Sequence, residues 1–438
     1  MSIELITILM FSSLFLLLFL GFPLTFSLGG VAIIFGFFLW GPSSTILIVT
    51  KVFGLFDTII LVATPLFIFM ANVLRRSGVA DDLFDMMYLW LNAVKGGLAI
   101  GTVGICTIFA AMSGISGAGT VTMGIIALPA MLKRNYDKHL AIGCILAGGA
   151  LGPLIPPSVI MIIYGLYSGV SVGKLFVGGI VPGLILSSLF CIYIFVRCSI
   201  NPSLGPLPPS ERKISWREKA LSLRGIVLPL LLIIAVLGGI FLGLATPNEA
   251  ADVGALGSLI CAAINRKLDW QRLRETFRDS LIVTSMIMWI ILTAGCFATV
   301  YQGLGAPDLI LHLLEVANLS NWGILILMQF TLLVLGCLLD SISILVLVGP
   351  IFIPLASSLG FDALWFGILY CINMEMGFLT PPFGVNLFYM KGVAPKGITM
   401  KDIYLSAFPF VGLQATGLII AMLFPKVILW LPNLVFKV

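Results

Sequence analysis

The chain has 438 residues, of which 60% are hydrophobic and only 10% are charged. A soluble globule of this length does not carry so apolar a composition, and repeated runs of about 18 or more apolar residues are typical of membrane-spanning helices. In a soluble protein, a net charge of +5 would suggest binding to nucleic acid. Here the basic residues fall in short loops, where they indicate which side of the membrane each loop occupies. The composition therefore predicts an all-α polytopic membrane protein.

In chain order, the apolar runs predict ten spanning helices and two segments of a different kind. The predicted spans are 3–20, 22–40, 57–74, 140–168, 174–197, 225–244, 246–265, 280–302, 362–390 and 404–432. The first run has no Lys or Arg before it, which does not match the basic start of a cleaved signal peptide, so we interpret it as a retained helix. Segments 97–132 and 320–358 have apolar arms around a polar, Gly- or Ser-rich middle. That pattern predicts re-entrant helical hairpins, with tips at 112–119 and 337–343.

The first of these regions is repeated in the second half of the chain at a constant offset of 225 residues. The matching positions are Gly124 and Gly349, Pro129 and Pro354, the segments 152–157 and 377–382, and Tyr164 and Tyr389. Each copy places Gly and a Pro pair inside an apolar run, which breaks a helix at membrane depth. Broken helices in matching positions of two halves are the best sequence pointer to a transporter's binding site. The predicted fold is thus an inverted repeat with two hairpins and two broken helices.

The charge distribution supports one orientation of this map. With the amino terminus outside the cell membrane, the inner loops hold 20 of the 24 Lys and Arg residues, as the positive-inside bias requires. Two mixed-charge segments, 78–95 and 268–278, are interpreted as arms along the inner surface. The predicted division is 1–96 for scaffold helices and the first arm, 97–168 for the first hairpin and broken helix, 169–319 for scaffold helices with a polar inner connector at 201–224 and the second arm, 320–392 for the second hairpin and broken helix, and 393–438 for a carboxyl-terminal scaffold helix.

The tips and breaks offer the ligands of a hard monovalent cation. A hairpin tip that faces a Pro-broken helix supplies free carbonyl oxygens together with Ser and Thr hydroxyls, which suits sodium. The duplication predicts two such sites. The first comprises Ser113, Ser116, Gly152, Ile155 and Pro157, and the second comprises Gly336, Asp340, Gly377, Thr380 and Phe383, with Ser341 beside it. We expect substrate to contact Ser113, Ser116, Ser158, Ser341 and Asn386, where unpaired amides of half-helix starts favour a carboxylate.

Several of these residues have a purely structural alternative. Asp340 is also suited to capping a half-helix, and Asn373 and Glu375 are equally suited to tying the second broken helix to its neighbours. The segment Gly114-Ile115-Ser116-Gly117 matches the G-x-S-G motif of intramembrane serine proteases. That chemistry needs a His base beside the serine. His139 lies in a charged loop and His312 in a predicted outer segment, so an enzyme is not expected.

These motifs carry a family resemblance over nearly the whole chain. They are Ser113-Gly114-Ile115-Ser116, the segments 151–158, 246–251 and 373–386, and Pro182-Gly183. The chain resembles the large membrane subunit, DctM type, of tripartite ATP-independent periplasmic (TRAP) transporters. One departure is Gly119, where many members have Asp or Thr, which removes a candidate side-chain ligand from the first cation site.

The resemblance implies a function and a set of partners. It implies a multi-pass protein of the bacterial inner membrane with a periplasmic amino terminus, acting as the transport subunit of a sodium-coupled importer that moves as an elevator. It implies a small four-helix membrane subunit (DctQ type) and a periplasmic binding protein (DctP type). The substrate would be an organic acid such as a C4-dicarboxylate, a sugar acid or sialic acid. The alternative is a stand-alone sodium- or proton-coupled carboxylate carrier of similar hairpin architecture.

Overall fold

A computed structural model describes residues 3–207, 215–305 and 319–436, which form twenty α-helices. The first half contains α1 Ile3–Phe19, α2 Leu24–Trp40, α3 Ser43–Phe56, α4 Ala63–Arg76, α5 Val79–Leu91, α6 Gly97–Ser113, α7 Ala118–Leu132, α8 Lys138–Ala150, α9 Val159–Ser168 and α10 Val172–Ile200. The second half contains α11 Trp216–Ser222, α12 Arg224–Phe241, α13 Pro247–Ile264, α14 Trp270–Gly303, α15 Asn321–Gly336, α16 Ser341–Ser358, α17 Ala363–Leu379, α18 Val385–Val393, α19 Met400–Leu423 and α20 Lys426–Phe436. Short 3₁₀ turns at Ile59–Val62 and Pro202–Leu204 precede α4 and follow α10.

Six helical segments of the described chain are long and apolar enough to cross a bilayer. They are Ile59–Arg76, Val172–Ile200, Arg224–Phe241, Trp270–Gly303, Ser341–Ser358 and Met400–Leu423. Further apolar helices, including α1 and α2, are 10–17 residues long. The all-α membrane fold predicted from composition is therefore confirmed.

The predicted helix map is wrong in three places. The segment Ser43–Phe56 forms a helix that was not predicted. The inner arm at 268–278 and the span at 280–302 are one continuous helix, because no Gly or Pro interrupts the chain between Trp270 and Ala294. The span predicted at 404–432 is two helices. Its chain turns at Pro425, where a missing backbone N–H and a fixed φ stop the first helix.

Both predicted hairpins are pairs of helices joined by short tips. In the first, α6 and α7 pack on each other and are joined by residues 114–117. Gly114 and Gly117 have φ values of +60° and +86°, a left-handed conformation that other residues adopt only with strain. In the second hairpin, α15 and α16 are joined by residues 337–340. Whether either hairpin is re-entrant stays a prediction.

Both predicted helix breaks are present at the repeated Pro pairs. Residues 151–158 separate α8 from α9, and residues 380–384 separate α17 from α18. The bonds Pro156-Pro157 and Pro381-Pro382 are both cis. Two long helices cover the broken helices: α19 packs on α8 and α17, and α10 contacts α8, α9 and α17. The division into transport and scaffold parts stays a prediction.

The predicted connector at 201–224 joins the two ends of the first hairpin that lie away from its tip. The carbonyl oxygen of Leu204 accepts a hydrogen bond from the amide of Asp137 at 3.0 Å, and that of Gly205 accepts one from the amide of Gly96 at 3.2 Å. Gly96 precedes α6, the first helix of the hairpin, and Asp137 follows α7, the second helix. The connector therefore fixes the ends of α6 and α7 that lie opposite the tip.

Candidate functional site

The first hairpin tip packs directly on the break of the first broken helix. A Cβ atom added to Gly152 would lie 2.5 Å from the carbonyl oxygen of Ile115, and one added to Gly114 would lie 2.1 Å from that of Pro157. The amide of Val159 donates a hydrogen bond to the carbonyl of Gly114 at 3.4 Å. Only glycine allows backbone to approach backbone this closely.

The second tip meets the second break in a similar way, although through different positions. A Cβ atom added to Gly377 would lie 2.8 Å from the Cα atom of Gly336, so the two backbones are in contact. The amide of Phe383 donates a hydrogen bond to the carbonyl of Cys337 at 3.2 Å. In each repeat, therefore, one backbone hydrogen bond joins the tip to the residues that follow the Pro pair.

Both contacts contain carbonyl oxygens that no hydrogen bond uses among the described residues. Within the described chain, no hydrogen bond uses the carbonyl oxygens of Gly152, Ile155 and Pro157 at the first contact, or those of Gly336, Thr380 and Phe383 at the second. Gly152, Ile155, Pro157 and Gly336 are buried, and buried carbonyl groups are normally paired. Thr380 is partly exposed and Phe383 is 55% exposed, so their carbonyl groups are also open to water. Unpaired carbonyls of unwound helices coordinate sodium in transporters that bind it at broken helices. The carbonyl of Gly377 differs, because it accepts the amide of Thr380.

Asp340 begins the second half of its hairpin, and its side chain caps that helix. Its Oδ1 atom accepts the amides of Ile342 at 3.0 Å and Ser343 at 3.1 Å, and Oδ2 accepts the Ser343 hydroxyl group. The capping alternative is therefore what the structure shows for this side chain. Capping leaves its negative charge in place at the tip. The charge remains available to a cation because a carboxylate offers about four lone-pair positions.

Thr380 directly follows the last residue of α17, at the break. Its hydroxyl group is hydrogen-bonded to the last turn of that helix. Its Oγ1 atom donates to the carbonyl of Met376 at 2.7 Å. Since the proton is used within the helix, the lone pairs of this oxygen face away from that bond and can accept a cation.

A small cavity of about 120 Å³ lies between the two tips. It is lined by Gly114, Ile115, Ser116, Val159, Ile160, Val283, Met286, Ile287, Asp340, Ser341, Ile342, Phe378, Val385 and Tyr389. The polar contributions come from Ser116, Ser341, Asp340 and Tyr389, and α14 closes one side with apolar side chains. No Lys or Arg lines this cavity within the described residues.

The first tip also contacts the second repeat. The Ser116 hydroxyl group donates to Oδ1 of Asn386 at 2.9 Å, and Asn386 is fully buried. A Cβ atom added to Gly117 would lie 2.3 Å from the Tyr389 ring. Within the second repeat, the Tyr370 hydroxyl of α17 donates to the carbonyl of Ser341 and holds the second tip beside the same cavity. The two repeats thus build a single site around the cavity.

The remaining predicted residues lie behind this surface. Ser158 is fully buried, donates to the carbonyl of Pro153 at 2.5 Å and caps α9 through the amide of Met161. Ser113 is buried at the end of α6. Neither lines the cavity, and their direct contact with substrate stays a prediction.

Gly119 has a packing reason in this chain. A Cβ atom there would lie 3.2 Å from the Cα atom of Gly149, where α7 crosses α8. An Asp or Thr at this position would push the helices apart. The neighbouring Thr120 is fully buried and its Oγ1 atom has no hydrogen-bond partner among the described residues, so an unpaired hydroxyl group is present one residue later.

Sequence reasoning missed one polar residue of the cavity lining, Tyr389, and left the role of Glu375 open. Tyr389 lines the cavity, and the repeat that pairs it with Tyr164 was the available signal. Glu375 is fully buried, its carboxyl oxygens have no side-chain partner among the described residues, and it faces the backbone of Leu154 in the other break. Asn373 instead ties the second broken helix to a neighbouring helix, the structural alternative given above. It donates to the backbone and side-chain oxygens of Gln329, both at 2.7 Å.

Two hairpin tips that each pack on a Pro-broken helix, with a small cavity between them, are an arrangement typical of membrane transporters. The fold agrees: the Alcanivorax borkumensis YdaH transporter superposes with a TM-score of 0.61 at 12% identity, covering 86% of this chain and 87% of that one. Residues 11–427 match the family model described as the DctM component of the tripartite ATP-independent periplasmic transporter. The chain belongs to this family of transporter permeases, which are not enzymes.

Curated relatives cover most of the chain. The C4-dicarboxylate TRAP transporter large permease protein DctM of Pseudomonas aeruginosa is 35% identical, over 90% of this chain and 91% of the relative. The ectoine TRAP transporter large permease protein TeaC of Halomonas elongata is 29% identical, over 98% of this chain and 100% of the relative. The isethionate TRAP transporter permease protein DctMQ of Oleidesulfovibrio alaskensis is 29% identical, over 85% of this chain but only 58% of the relative.

Proposed function

We propose that this chain imports an organic acid together with sodium ions, as the transport subunit of a tripartite system. The observation that carries the proposal is the repeated contact between a hairpin tip and a Pro-broken helix, each with three unpaired carbonyl oxygens. Such oxygens favour a cation, and the acidic Asp340 adds charge at the second contact. The absence of Lys and Arg from the cavity lining within the described chain leaves bound cations and helix amides as the partners of a substrate carboxylate.

Energetics favour two cation sites over one. Moving one positive charge inward across a potential of about 100 mV releases roughly 2.3 kcal/mol. A tenfold sodium gradient adds about 1.4 kcal/mol, so one sodium ion releases about 3.7 kcal/mol. Moving a dianion inward against the same potential costs roughly 4.6 kcal/mol. One ion cannot concentrate a dicarboxylate, whereas two leave about 2.8 kcal/mol for accumulation.

The cavity wall suits a sliding movement of the site. On the side of α14, the tips face Val283, Met286 and Ile287, which are apolar and make no hydrogen bond through their side chains. A surface of this kind can be passed by the tips without breaking polar contacts. We therefore propose that the hairpins and broken helices move together as an elevator against α14. A periplasmic binding protein would deliver the substrate, and a small membrane subunit would complete the fixed part.

The test is uptake of labelled organic acids into proteoliposomes that contain this chain and its small membrane subunit. C4-dicarboxylates, sugar acids and sialic acid are compared, with and without the binding protein, under an inward sodium gradient or with choline in its place. Uptake that requires both sodium and the binding protein is expected. Uptake that proceeds equally without the binding protein would support the stand-alone carrier instead, and uptake that is indifferent to sodium would contradict the cation sites.

A further inference from the structure

A second polar cavity, of about 350 Å³, lies near the predicted inner membrane surface and is called the inner cavity below. It is formed by the start of α8, the last turns of α10, the first turns of α19 and the connector. Its polar lining consists of Asp137, His139, Tyr193, Arg197 and Ser406. The inner cavity and the cavity between the tips have no lining residue in common among those described. Its volume is in the range of sites for small ligands.

Arg197 brings an unpaired positive charge to the inner cavity. Its guanidinium carbon lies 5.9 Å from the centroid of the Tyr193 ring, and within the described chain this side chain makes no hydrogen bond or ion pair. The Tyr193 hydroxyl group likewise has no hydrogen-bond partner among the described residues. A guanidinium group presents several N–H donors in a fixed plane, which matches the oxygens of a phosphate group. These two side chains therefore offer free donors for a phosphate.

Asp137 brings a negative charge to the same cavity. Its Oδ1 atom accepts the amide of Leu140 at 2.9 Å and caps α8, while the adjacent Lys138 is paired with Asp402 at 2.7 Å. Across the described residues, Asp137 forms no ion pair with Arg197 or with another cation. An anion alone would be repelled by Asp137, and a cation alone would be repelled by Arg197. Two opposite charges that share a cavity without pairing therefore suit a ligand that carries both.

His139 and Ser406 add hydrogen-bond acceptors to the lining. The Ser406 hydroxyl group donates to the carbonyl of Asp402 at 2.6 Å, and its oxygen lies 3.1 Å from Nδ1 of His139. Because the Ser406 proton is already used, the proton between these two atoms belongs to Nδ1, and Nε2 of the neutral ring is an acceptor. A carboxylate and an imidazole nitrogen accept the N–H groups of a primary ammonium. A quaternary ammonium has no such protons.

The position of the inner cavity indicates that its ligand comes from the membrane. Arg197 lies three residues before the end of α10, at the level where a long span meets lipid headgroups. On α19, Leu405 and Pro409 line the cavity and are exposed, and Gly412 and Thr416 continue the same exposed face towards the membrane centre. A Cβ atom on Gly412 would meet nothing within 4 Å. The cavity is thus continuous with an exposed strip of α19 that acyl chains can cover.

We propose that the inner cavity binds the headgroup of an amine-bearing phospholipid, of which phosphatidylethanolamine is the simplest. The phosphate accepts hydrogen bonds from Arg197 and Tyr193. The primary ammonium group donates to Asp137 and to Nε2 of His139. Basic pockets between membrane helices on the inner side are known to hold lipid headgroups; here the added carboxylate selects a zwitterion over an anionic lipid. This inference goes beyond the proposed function, because it depends neither on sodium nor on a partner subunit.

The first test is native mass spectrometry of the purified full-length chain, titrated with lipids that have identical acyl chains. Phosphatidylethanolamine is expected to bind about tenfold more tightly than phosphatidylcholine, which lacks N–H donors, and than phosphatidylglycerol, which lacks the ammonium group. Equal binding of the three lipids would overturn the inference. Soluble phosphoethanolamine is expected to bind far more weakly than the lipid, since it has no acyl chains. Equally tight binding of this free compound would overturn the membrane source.

The second test uses variants of the two charges. Arg197→Ala is expected to weaken binding of phosphatidylethanolamine about tenfold, the effect of losing a charge-assisted hydrogen bond. Lys133→Ala is the control, because Lys133 is an exposed basic residue on the same side and outside the lining. The Arg197 side chain makes no hydrogen bond or ion pair in the described chain, so thermal unfolding without lipid should not change. Unchanged lipid binding by Arg197→Ala would make Arg197 a solvated arginine and overturn the inference.

Asp137→Asn tests the ammonium side of the site. Asn caps a helix as well as Asp does, so α8 should remain intact while the negative charge is removed. This variant is expected to lose its preference for phosphatidylethanolamine and to bind phosphatidylglycerol more tightly than the wild type does. Asp269→Asn is the matched control, since Asp269 caps α14 through the amide of Arg272 at 2.8 Å and lies outside the inner cavity. A lipid preference that is the same in Asp137→Asn and in the wild type would contradict the assignment of the ammonium group to Asp137.

Discussion

The Ser116 hydroxyl group lies 2.9 Å from Oδ1 of Asn386 and links residues that are 270 positions apart in the chain. Ser116 belongs to the first hairpin tip, and Asn386 belongs to the second broken helix. The Nδ2 atom of Asn386 has no partner among the described residues. This hydrogen bond therefore connects the two repeats at the edge of the cavity. The side-chain amide of Asn386 keeps a donor that no described residue uses.

Removing the Ser116 hydroxyl group should destabilise the protein. Ser116→Ala leaves a buried acceptor on Asn386 unpaired, which costs about 1–3 kcal/mol. Asn386→Ala alone should have a similar effect, and the double variant should cost less than the sum because the same bond is lost once. Thermal unfolding in detergent measures all three. Ser203→Ala is the matched control, since Ser203 makes a comparable but exposed bond to Asn201 at 2.7 Å. Additive losses would show that Ser116 and Asn386 act independently.

The contact between Gly336 and Gly377 should tolerate no side chain. Gly377→Ala would place a Cβ atom 2.8 Å from the Cα atom of Gly336, and two stretches of backbone would have to separate. We expect uptake to be lost and the protein to be destabilised by about 1–3 kcal/mol, as for other overpacked sites. Gly392→Ala serves as the control, because a Cβ atom there meets nothing within 4 Å. Equal uptake by both variants would contradict the close tip-to-break contact.

Asp340 combines two roles that substitution can separate. Asn is as good a helix cap as Asp, so Asp340→Asn should preserve stability while removing the charge that attracts a cation. We expect this variant to lose sodium-dependent uptake, and Asp340→Ala to lose about 1 kcal/mol of stability as well. The control is Asp362→Asn, which caps α17 through the Trp365 amide at 2.9 Å and lies outside the cavity lining. If Asp340→Asn keeps the sodium dependence of the wild type, Asp340 only caps α16 and does not bind a cation.

Thr380 should contribute an oxygen rather than packing. Thr380→Ala removes the hydroxyl group and is expected to abolish sodium-dependent uptake, whereas Thr380→Ser keeps the oxygen and should retain it in part. Thr416→Ala is the control, because Thr416 makes the same kind of bond to a preceding carbonyl, that of Gly412 at 2.9 Å, on an exposed part of α19. The initial uptake rate against external sodium concentration is the measurement. A curve for Thr380→Ala that matches the wild type would remove Thr380 from the second site.

The sequence predicted those features that depend on local chain chemistry. A Gly followed closely by a Pro pair interrupts a helix, so both breaks could be predicted from the sequence, as could the tips from their polar, Gly- or Ser-rich middles. A single Pro does not suffice, since Pro129 and Pro354 lie inside continuous helices. The turn at Pro425 also has a local cause, and it was overlooked because Lys426 is the one charged residue in an otherwise apolar run.

Long-range contacts were beyond reach of a single sequence. Nothing in the spacing of Ser116 and Asn386 indicates that they meet, since the distance between the repeats is set by helix packing. The repeat also did not predict that Ile115 packs on Gly152 in one half while Gly336 packs on Gly377 in the other. Equivalent positions at an offset of 225 residues thus share a fold without sharing each contact.

The measurement that tests the two cation sites most directly is the ratio of sodium to substrate. Initial fluxes of radiolabelled sodium and of the labelled organic acid are compared in the same proteoliposomes, at a fixed membrane potential and with the binding protein present. Two sodium ions per substrate molecule are predicted for the wild type, because each repeat provides one cluster of unpaired carbonyl oxygens. Substrate entry without any coupled sodium flux would contradict the account.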